Sequence, residues 1–287
     1  MISVVIPTKD RQGFLLALLD VLEQQTQLPS EVIIIDQTAE PCVLLSSLSK
    51  FPIHYLHRPD IGSLCEAKTA GVEYSTKPFI CFLDDDSRPD MKFFAELLSG
   101  MHETNAVGMC GFVQNYEHQS KIIKWAYPIF HRGFFRGDRM GVFGNDNPDC
   151  LPNYIKTHQV TGGCSIWKRE VFDFVSFDLE NKFHLFEDID FSFQVNNVFR
   201  DRMFIDTKAR IEDLNKEVGN RDLPQRFRMR MQEARKVYRK YGASGQISST
   251  DYVLYVFGRG LEALVVSVRQ RSLSPIAGYY RGITKQI

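Results

Sequence analysis

Short apolar runs and amphipathic stretches alternate along the first hundred residues. Four short, mainly apolar runs have the pattern of strands, and they cover residues 2–7, 32–36, 53–57 and 79–83. The first is rich in β-branched residues, which suits a buried parallel strand. Apolar residues at helical spacing predict helices over about residues 14–22, 63–74 and 89–101. Alternating units of these lengths predict an α/β fold in which helices flank a mostly parallel sheet.

Acidic residues follow three of the predicted strands. Asp10 lies in the turn after the first strand, Asp36 ends the second, and Asp84, Asp85 and Asp86 follow the fourth. Ligands of open α/β sheets bind beyond the carboxyl ends of the strands, so we expect these carboxylates to gather at one edge. Carboxylate oxygens suit Mg²⁺ or Mn²⁺, and Mg²⁺ is usually held by one or two protein carboxylates and substrate phosphates. The alternative is a solvated turn in which Asp86 caps the next helix.

A second acidic group, Glu187, Asp188 and Asp190, lies in a segment that has the pattern of a helix start. Aromatic neighbours such as Phe186 reduce the solvation of a carboxylate and raise its pKa, which is how proteins tune general bases. The alternative is that the acids only complement the helix macrodipole. Composition leaves both interpretations open.

Residues 113–160 have no clean period and predict an irregular insertion that covers a substrate site. The chain as a whole has 35 basic and 35 acidic residues, and this balance argues against a nucleic acid partner. No apolar run approaches the roughly 18 residues that span a bilayer, and the N-terminus lacks the pattern of a signal peptide. The six cysteines form no Cys-x-x-Cys motif. We therefore expect an unsecreted, cytoplasmic protein.

The last quarter of the chain differs from the rest in charge. Residues 221–287 carry 13 Lys and Arg against 4 Asp and Glu, a net charge of +9. A basic helix is predicted first, and an apolar one follows after residue 249. Such a basic amphipathic extension can lie on an anionic membrane surface. The alternatives are an ordinary helical pair docked on the preceding domain, and a homodimer interface.

Several motifs follow one another in a specific order, at residues 2–11, 32–36, 62–71, 82–86 and 186–190. Together they resemble glycosyltransferase family 2, whose members have the GT-A fold, use nucleotide sugars and invert the anomeric configuration. The resemblance covers about residues 1–215. It implies a Rossmann-like sheet over residues 1–220, divided into a nucleotide-sugar half (1–112) and an acceptor half (113–220), with 221–287 as a helical extension.

The resemblance assigns two groups of residues to the nucleotide-sugar donor. Pro7, Thr8 and Asp10 belong to the opening motif, whose Pro-Thr turn borders the base in the family. Asp36 corresponds to the Asp that binds uracil or thymine. Lys68 replaces the usual Arg of the motif at residues 62–71, so its contact with the donor is expected to differ from that of the family.

The aspartate triplet resembles the Asp-x-Asp motif of the family. Asp84 is thereby assigned to the donor ribose and to the metal, Asp85 to the donor, and Asp86 to the Mg²⁺ or Mn²⁺ ion. The family often has a metal-binding His late in the domain, and here Asp213 stands at about that position. Asp213 is therefore a further metal candidate.

Residues 186–190 resemble the Glu-Asp-x-Asp motif, which makes Asp188 the catalytic base with Glu187 beside it. The implied function is a metal-dependent, inverting hexosyl- or deoxyhexosyltransferase. Its donor would be a UDP- or dTDP-sugar, and its acceptor a hydroxyl of a glycan or of a lipid-linked acceptor in surface polysaccharide synthesis. The enzyme would work at the cytoplasmic face of the inner membrane as a peripheral protein.

Two rival functions remain at this point. One is a non-catalytic, membrane-associated scaffold of a glycan assembly complex, which the substitutions at Lys68 and Gln194 leave open. The other is a sugar-phosphate nucleotidyltransferase, which needs a Gly-rich loop after its first strand. Only Gly13 is present there, so the sequence disfavours the second rival.

Overall fold

The computed structural model describes residues 1–42, 49–116, 121–145, 148–181, 185–214 and 222–284. The chain divides into two compact units. The first consists of Met1–His118 and Asp138–Leu214, and the second of Gln119–Gly137 and Asn215–Ile287. Residues 119–137, which we expected in the acceptor half of the first domain, therefore group with the C-terminal helices.

The core of the first unit is one sheet, which has nine strands within the described ranges. The strands are β1 (Ile2–Thr8), β2 (Glu31–Asp36), β3 (Ile53–His57), β4 (Phe79–Leu83), β5 (Ser87–Pro89), β6 (Gly108–Val113), β7 (Tyr154–Lys156), β8 (Cys164–Lys168) and β9 (Met203–Asp213). Their order across the sheet is β3-β2-β1-β4-β8-β6-β9-β5, and β7 pairs with β9.

Strands β1 to β4 are parallel, as the sequence predicts. Every residue of β1, β2 and β4 is buried, which explains why these strands appear in the sequence as nearly continuous apolar runs. Beyond β4 the sheet is mixed, because β8 runs antiparallel to both β4 and β6. Long connections determine the strand directions in this part of the sheet, and local periodicity in the sequence does not predict those directions. The predicted α/β class is confirmed.

The helices of the first unit are α1 (Gln12–Leu22), α2 (Leu64–Tyr74), α3 (Phe93–Glu103), α5 (Asp138–Phe143) and α6 (Glu187–Phe199), and α4 (Lys121–Phe130) belongs to the second unit. Helix α2 begins with a capping box, in which the Ser63 side chain accepts from the Glu66 amide and the Glu66 carboxylate accepts from the Ser63 amide. Helix α3 begins later than predicted, because the chain first forms β5.

Helix α2 lies unusually close to β1. A Cβ atom at Gly71 would overlap the Val5 side chain, so only glycine fits at that point of the helix. The close approach fixes the position of the neighbouring residues of α2. Lys68 is one of them, and it is fully buried.

The second unit is helical. Besides α4 it contains α7 (Leu223–Gly242), α8 (Ser249–Gln270) and α9 (Ser274–Thr284). Helix α4 and the short α5 lie in the region 113–160, which was expected to be irregular, so that expectation is wrong for these two segments. Helix α9 packs closely on α7, since a Cβ atom at Gly278 would overlap the backbone of Pro224. None of the helices in the described ranges is both long and apolar enough to cross a membrane.

Candidate active site

The carboxyl ends of β1 and β4 meet in a network of hydrogen bonds. The Thr8 hydroxyl donates to Asp85 Oδ2 at 2.7 Å. Arg11 Nη1 donates to Asp85 Oδ1 at 3.0 Å and to Asp86 Oδ2 at 2.8 Å. Thr8 and Arg11 thus hold two of the three consecutive carboxylates, and the arginine compensates part of their mutual repulsion. Asp86 leads into β5, and α3 begins only at Phe93, with Lys92 at its N-cap position. The alternative interpretation, in which Asp86 caps the next helix, is therefore wrong.

Asp84 points to the turn Gly162–Gly163, which precedes β8. A Cβ atom at Gly163 would overlap the Asp84 carboxylate, so this glycine leaves the space that Asp84 occupies. The Asp84 amide donates to the Gly163 carbonyl at 3.0 Å. Burial, only partly offset by the charge of Lys68, raises the pKa of Asp84 to about 7. The carboxylate is therefore enclosed and poorly solvated.

Lys68 lies beneath the same turn and contacts the second acidic motif. Its Nζ atom is 3.4 Å from Glu187 Oε1, and the side chain is 1% exposed. The ammonium group also lies 5.6 Å from the ring centroid of Phe82 and 5.7 Å from that of Phe177. Burial opposes the charge of Lys68, but the carboxylates of Glu187, Asp84 and Asp188 together raise its pKa above the ordinary value. Lys68 was expected to contact the donor, and the structure places it as a buried counter-charge between the two acidic motifs.

Asp188 is paired with an arginine that the sequence analysis did not single out. Arg139 Nη1, from α5, lies 2.5 Å from Asp188 Oδ2. The other oxygen, Oδ1, accepts from the Ile189 amide at 2.8 Å. Burial alone would raise the pKa of Asp188, but the Arg139 guanidinium holds it below its ordinary value. Its neighbour Glu187 has a raised pKa, first because of burial and then because of the charge of Asp188.

Phe186, immediately before these acids, has a left-handed backbone conformation with φ of 63°. A bulky residue rarely adopts that region, and such strain is often found at functional sites. Helix α6 begins directly afterwards, so Glu187 and Asp188 lie in its first turn. The acids therefore do complement the macrodipole, and they are also bound to Lys68 and Arg139. The two interpretations of this motif are compatible.

Asp36 holds the loop after β2. Its carboxylate accepts from the Thr38 amide at 2.9 Å, from the Cys42 amide at 3.2 Å and from the Tyr55 hydroxyl at 2.6 Å. Burial would raise its pKa, but these hydrogen bonds lower it. The side chain is fully buried, and these hydrogen bonds hold the start of the loop that follows the strand.

The remaining predicted residues lie at the same edge of the sheet or close to it. Pro7 is buried within β1, next to Ile35 of β2. Asp10 is exposed in the turn after β1, has a φ of 57°, and its amide donates to the Thr38 hydroxyl at 2.8 Å. Asp213 ends β9, opposite Ser87 of β5.

The carboxylates partly fit a divalent cation. The Leu214 amide donates to the Asp86 carbonyl at 2.9 Å, so the end of β9 lies beside the aspartate turn. Within the described ranges, no three His, Cys, Asp or Glu side chains are grouped closely enough to hold a metal by themselves. Mg²⁺ usually needs only one or two protein carboxylates when substrate phosphates complete its shell, so Asp84 and Asp86 are chemically suited to it. Asp213 is the strand partner of Ser87, the residue that follows Asp86.

Two cationic residues of the site have no sequence signal of their own. Arg11 is the last residue of the first motif, and nothing local in the sequence indicates its contact with Asp85, 74 positions away. Arg139 lies in a region without a clear period, 49 positions before Asp188. Only the folded chain shows this contact.

Known proteins resemble the chain in sequence and in fold. Residues 3–174 match the family described as Glycosyl transferase family 2. A Haemophilus influenzae protein described as an uncharacterized glycosyltransferase is 31% identical over 86 residues, which cover 30% of this chain and 29% of that protein.

Two solved structures share the fold at low sequence identity. A fragment of S. aureus TarS in complex with UDP-GlcNAc aligns with a TM-score of 0.55 and 13% identity, over 98% of this chain and 90% of that chain. GalNAc-T7 with UDP, GalNAc and Mn²⁺ aligns with a TM-score of 0.56 and 12% identity, over 80% of this chain and 47% of that chain. This chain thus spans about half of GalNAc-T7 and less than a third of the Haemophilus protein.

These likenesses confirm the predicted GT-A fold. The region that matches the family covers more than half of the chain, and it contains β1 to β8, the aspartate triplet and the Gly162–Gly163 turn. The chain therefore belongs to glycosyltransferase family 2.

Proposed function

We propose that the protein is a metal-dependent, inverting glycosyltransferase that transfers a hexosyl or deoxyhexosyl group from a nucleotide sugar to an acceptor hydroxyl. One observation carries the proposal. Asp84 and the pair Glu187–Asp188, about a hundred positions apart, meet at the Gly162–Gly163 turn, where added Cβ atoms would contact Asp84, Glu187 and Asp188. The motif proposed to bind the donor and the motif proposed to supply the base therefore lie next to each other, at this turn.

The donor is a UDP- or dTDP-sugar that binds along the carboxyl ends of β1, β2 and β4. UDP-GlcNAc in the TarS structure and UDP in the GalNAc-T7 structure support a uridine nucleotide. In this chain the loop held by Asp36 would border the base, together with Pro7, Thr8 and Asp10. Asp84 and Asp85 would contact the rest of the donor.

A Mg²⁺ or Mn²⁺ ion bound at Asp86 and Asp84, with Asp213 beside them, would supply positive charge to the diphosphate and stabilise the leaving nucleotide. Manganese in the GalNAc-T7 structure supports this choice of cofactor. Arg11 now contacts Asp86 with its guanidinium. If the ion binds at Asp86 Oδ2, Arg11 has to release that oxygen, and it can keep its hydrogen bond to Asp85.

Asp188 removes the proton from the acceptor hydroxyl as that oxygen attacks the anomeric carbon. The base must be ionised before it can accept a proton, and Arg139 favours the ionised form. Arg139 also occupies one of the two carboxylate oxygens. The acceptor hydroxyl therefore has to displace Arg139 from Oδ2, or to approach Oδ1.

The acceptor would be a glycan or a lipid-linked acceptor of surface polysaccharide synthesis. The enzyme would act as a peripheral protein at the cytoplasmic face of the inner membrane, either as a monomer or as a homodimer. The rival function, a non-catalytic scaffold, predicts that no nucleotide sugar binds. The paired acids support the enzyme, because a scaffold has no need of a buried base beside the donor motif.

Calorimetry with UDP-sugars, dTDP-sugars and GDP-mannose, first with Mn²⁺ and then with EDTA, tests the proposal. We expect one uridine or thymidine sugar to bind only with the metal, and Asp86→Ala to weaken that binding. Asp188→Asn should bind the donor normally but lose at least about a hundredfold in turnover, because it removes the base, and with it the carboxylate that pairs with Arg139. Absence of binding to every donor would favour the scaffold, and near-normal turnover of Asp188→Asn would exclude Asp188 as the base.

A further inference from the structure

Helix α8 exposes a continuous apolar stripe. Six side chains form it, each between 40% and 70% exposed: Val253, Phe257, Leu261, Leu264, Val265 and Val268. At 100° per residue they fall within an arc of about 120° on one side of the helix. The stripe contains no charged residue, and it runs for about four turns.

The stripe is not the face by which α8 packs within its own unit. That face is formed by Tyr255, Ala263 and Ser267, which are buried. Ring contacts of Tyr255 with Phe135 (4.2 Å between centroids) and His131 (5.3 Å) lie on the same side. The helix is thus anchored on one side and presents the stripe on the other.

The apolar surface continues from α8 onto α4. The ring centroids of Phe257 and Phe130 are 5.9 Å apart. One turn before Phe130, Trp125 is 75% exposed, and Ile129 beside it is 37% exposed. A soluble protein rarely leaves so many neighbouring apolar side chains in water, so the surface calls for a partner.

Charge decides which partner fits best. The stripe ends at Arg269 and Arg271, both exposed, and residues 221–287 carry a net charge of +9. A second copy of the chain would bring one such positive region against another. Anionic lipid headgroups would neutralise the two arginines, while the acyl chains would bury the apolar side chains. A tryptophan at the edge of such a surface, here Trp125, is typical of a membrane interface.

We propose that the stripe of α8 and the exposed part of α4 form a lipid-binding face, which lies in the surface of an anionic bilayer. The α8 helix axis is parallel to the membrane, with the stripe among the upper acyl chains and Arg269 and Arg271 at the headgroups. This inference rests on the proposed function, since it says where the proposed enzyme works. The observations behind it do not involve the transfer chemistry.

Co-sedimentation of the full-length protein with vesicles tests this face, using phosphatidylcholine alone and phosphatidylcholine with about a third phosphatidylglycerol. Wild-type protein should partition onto the anionic vesicles and come off as salt is added. Leu264→Glu/Val268→Glu should lower the partition coefficient at least tenfold, because it places charge in the stripe. Arg269→Gln/Arg271→Gln should lower it about fivefold for each arginine at low salt. The matched control is Tyr74→Glu/Met91→Glu, two exposed side chains of the first unit.

Three results would overturn the proposal. The wild-type protein could fail to bind anionic vesicles, the stripe variant could bind as well as the control, or light scattering could show a dimer that only the stripe variant dissociates. The last result would assign the face to a second copy of the chain. Calorimetric donor binding, measured on the same stripe variant, should be unchanged, so that a failure of lipid binding and a failure of the proposed transferase are separate outcomes.

Discussion

Replacing Lys68 with Met removes the buried ammonium group between the two acidic motifs. The ammonium lies 3.4 Å from Glu187 and is 1% exposed. Methionine fills a similar volume and keeps the contacts with Phe82 and Phe177. It leaves the carboxylate of Glu187 next to that of Asp188 without its neighbouring counter-charge. The main consequence should therefore be electrostatic.

The size of the effect follows from the geometry. Two unit charges 3.4 Å apart attract by about 5 kcal/mol at an effective dielectric constant of about 20. Removing one partner of a buried pair typically costs about 3 to 5 kcal/mol, because the other charge stays buried. Lys68→Met should thus lower the free energy of unfolding of the first unit by about 3 to 5 kcal/mol. Lys68→Met/Glu187→Gln should recover most of that loss.

Urea unfolding followed by tryptophan fluorescence measures this effect in the first unit. Trp167 is 3% exposed and its ring centroid lies 5.0 Å from that of Phe191, in the wall behind Lys68. Trp125 belongs to the second unit, so the Trp125→Phe variant serves as the background. The signal then reports on the first unit alone.

A surface pair provides the control. Arg58 and Asp60 form an exposed ion pair, and Arg58→Met should lower the free energy of unfolding far less than Lys68→Met does, because solvent screens the pair. The reasoning is refuted if Lys68→Met costs no more than this control. It is also refuted if the losses from Lys68→Met and Glu187→Gln simply add in the double variant, since additivity would mean that the two side chains do not interact.

Arg139→Gln removes the charge that lowers the pKa of Asp188, so the acidic limb of the kcat/KM profile should move to higher pH. Hydrogen bonds that overcome burial lower the pKa of Glu31 from 4.5 to about 2, so its stabilisation is complete above pH 4.5 and is lost as the pH falls toward 2. The free energy of unfolding, measured with urea, should differ between wild type and Glu31→Gln by about 3 kcal/mol less at pH 2 than at pH 4.5 and above. Gly163→Ala places a Cβ atom on the Asp84 carboxylate and should weaken donor binding about tenfold, measured by calorimetry.

Matched variants separate these effects from general damage. Gly13→Ala adds a methyl group in open space and should leave donor affinity unchanged. Arg200→Gln removes an exposed charge at the far end of α6 and should leave the pH profile in place. An unshifted acidic limb in Arg139→Gln, a wild-type affinity in Gly163→Ala, or an identical pH dependence in Glu31→Gln would each contradict the corresponding prediction.

Local periodicity was sufficient for the first half of the fold. Strands β1, β2 and β4 are buried on both faces, and helices such as α2 carry their own capping residues, so each element leaves a signal within about ten residues. The region 113–160 was interpreted as irregular, although it contains α4 and α5. Helix α5 is only six residues long, and α4 contains Pro128, which argues against a helix in a sequence-based interpretation.

The sequence by itself determined the α/β class, the family and the position of both acidic motifs, because strand and helix periods and the order of short motifs are local properties. Only the tertiary structure decided which cation meets which carboxylate. The contacts of Arg11 with Asp86, of Arg139 with Asp188 and of Lys68 with Glu187 join residues 75, 49 and 119 positions apart. Packing of α2 on β1 positions Lys68, and the pairing of β1 with β4 brings Arg11 to the aspartate turn, so these contacts depend on segments that meet only in the folded chain.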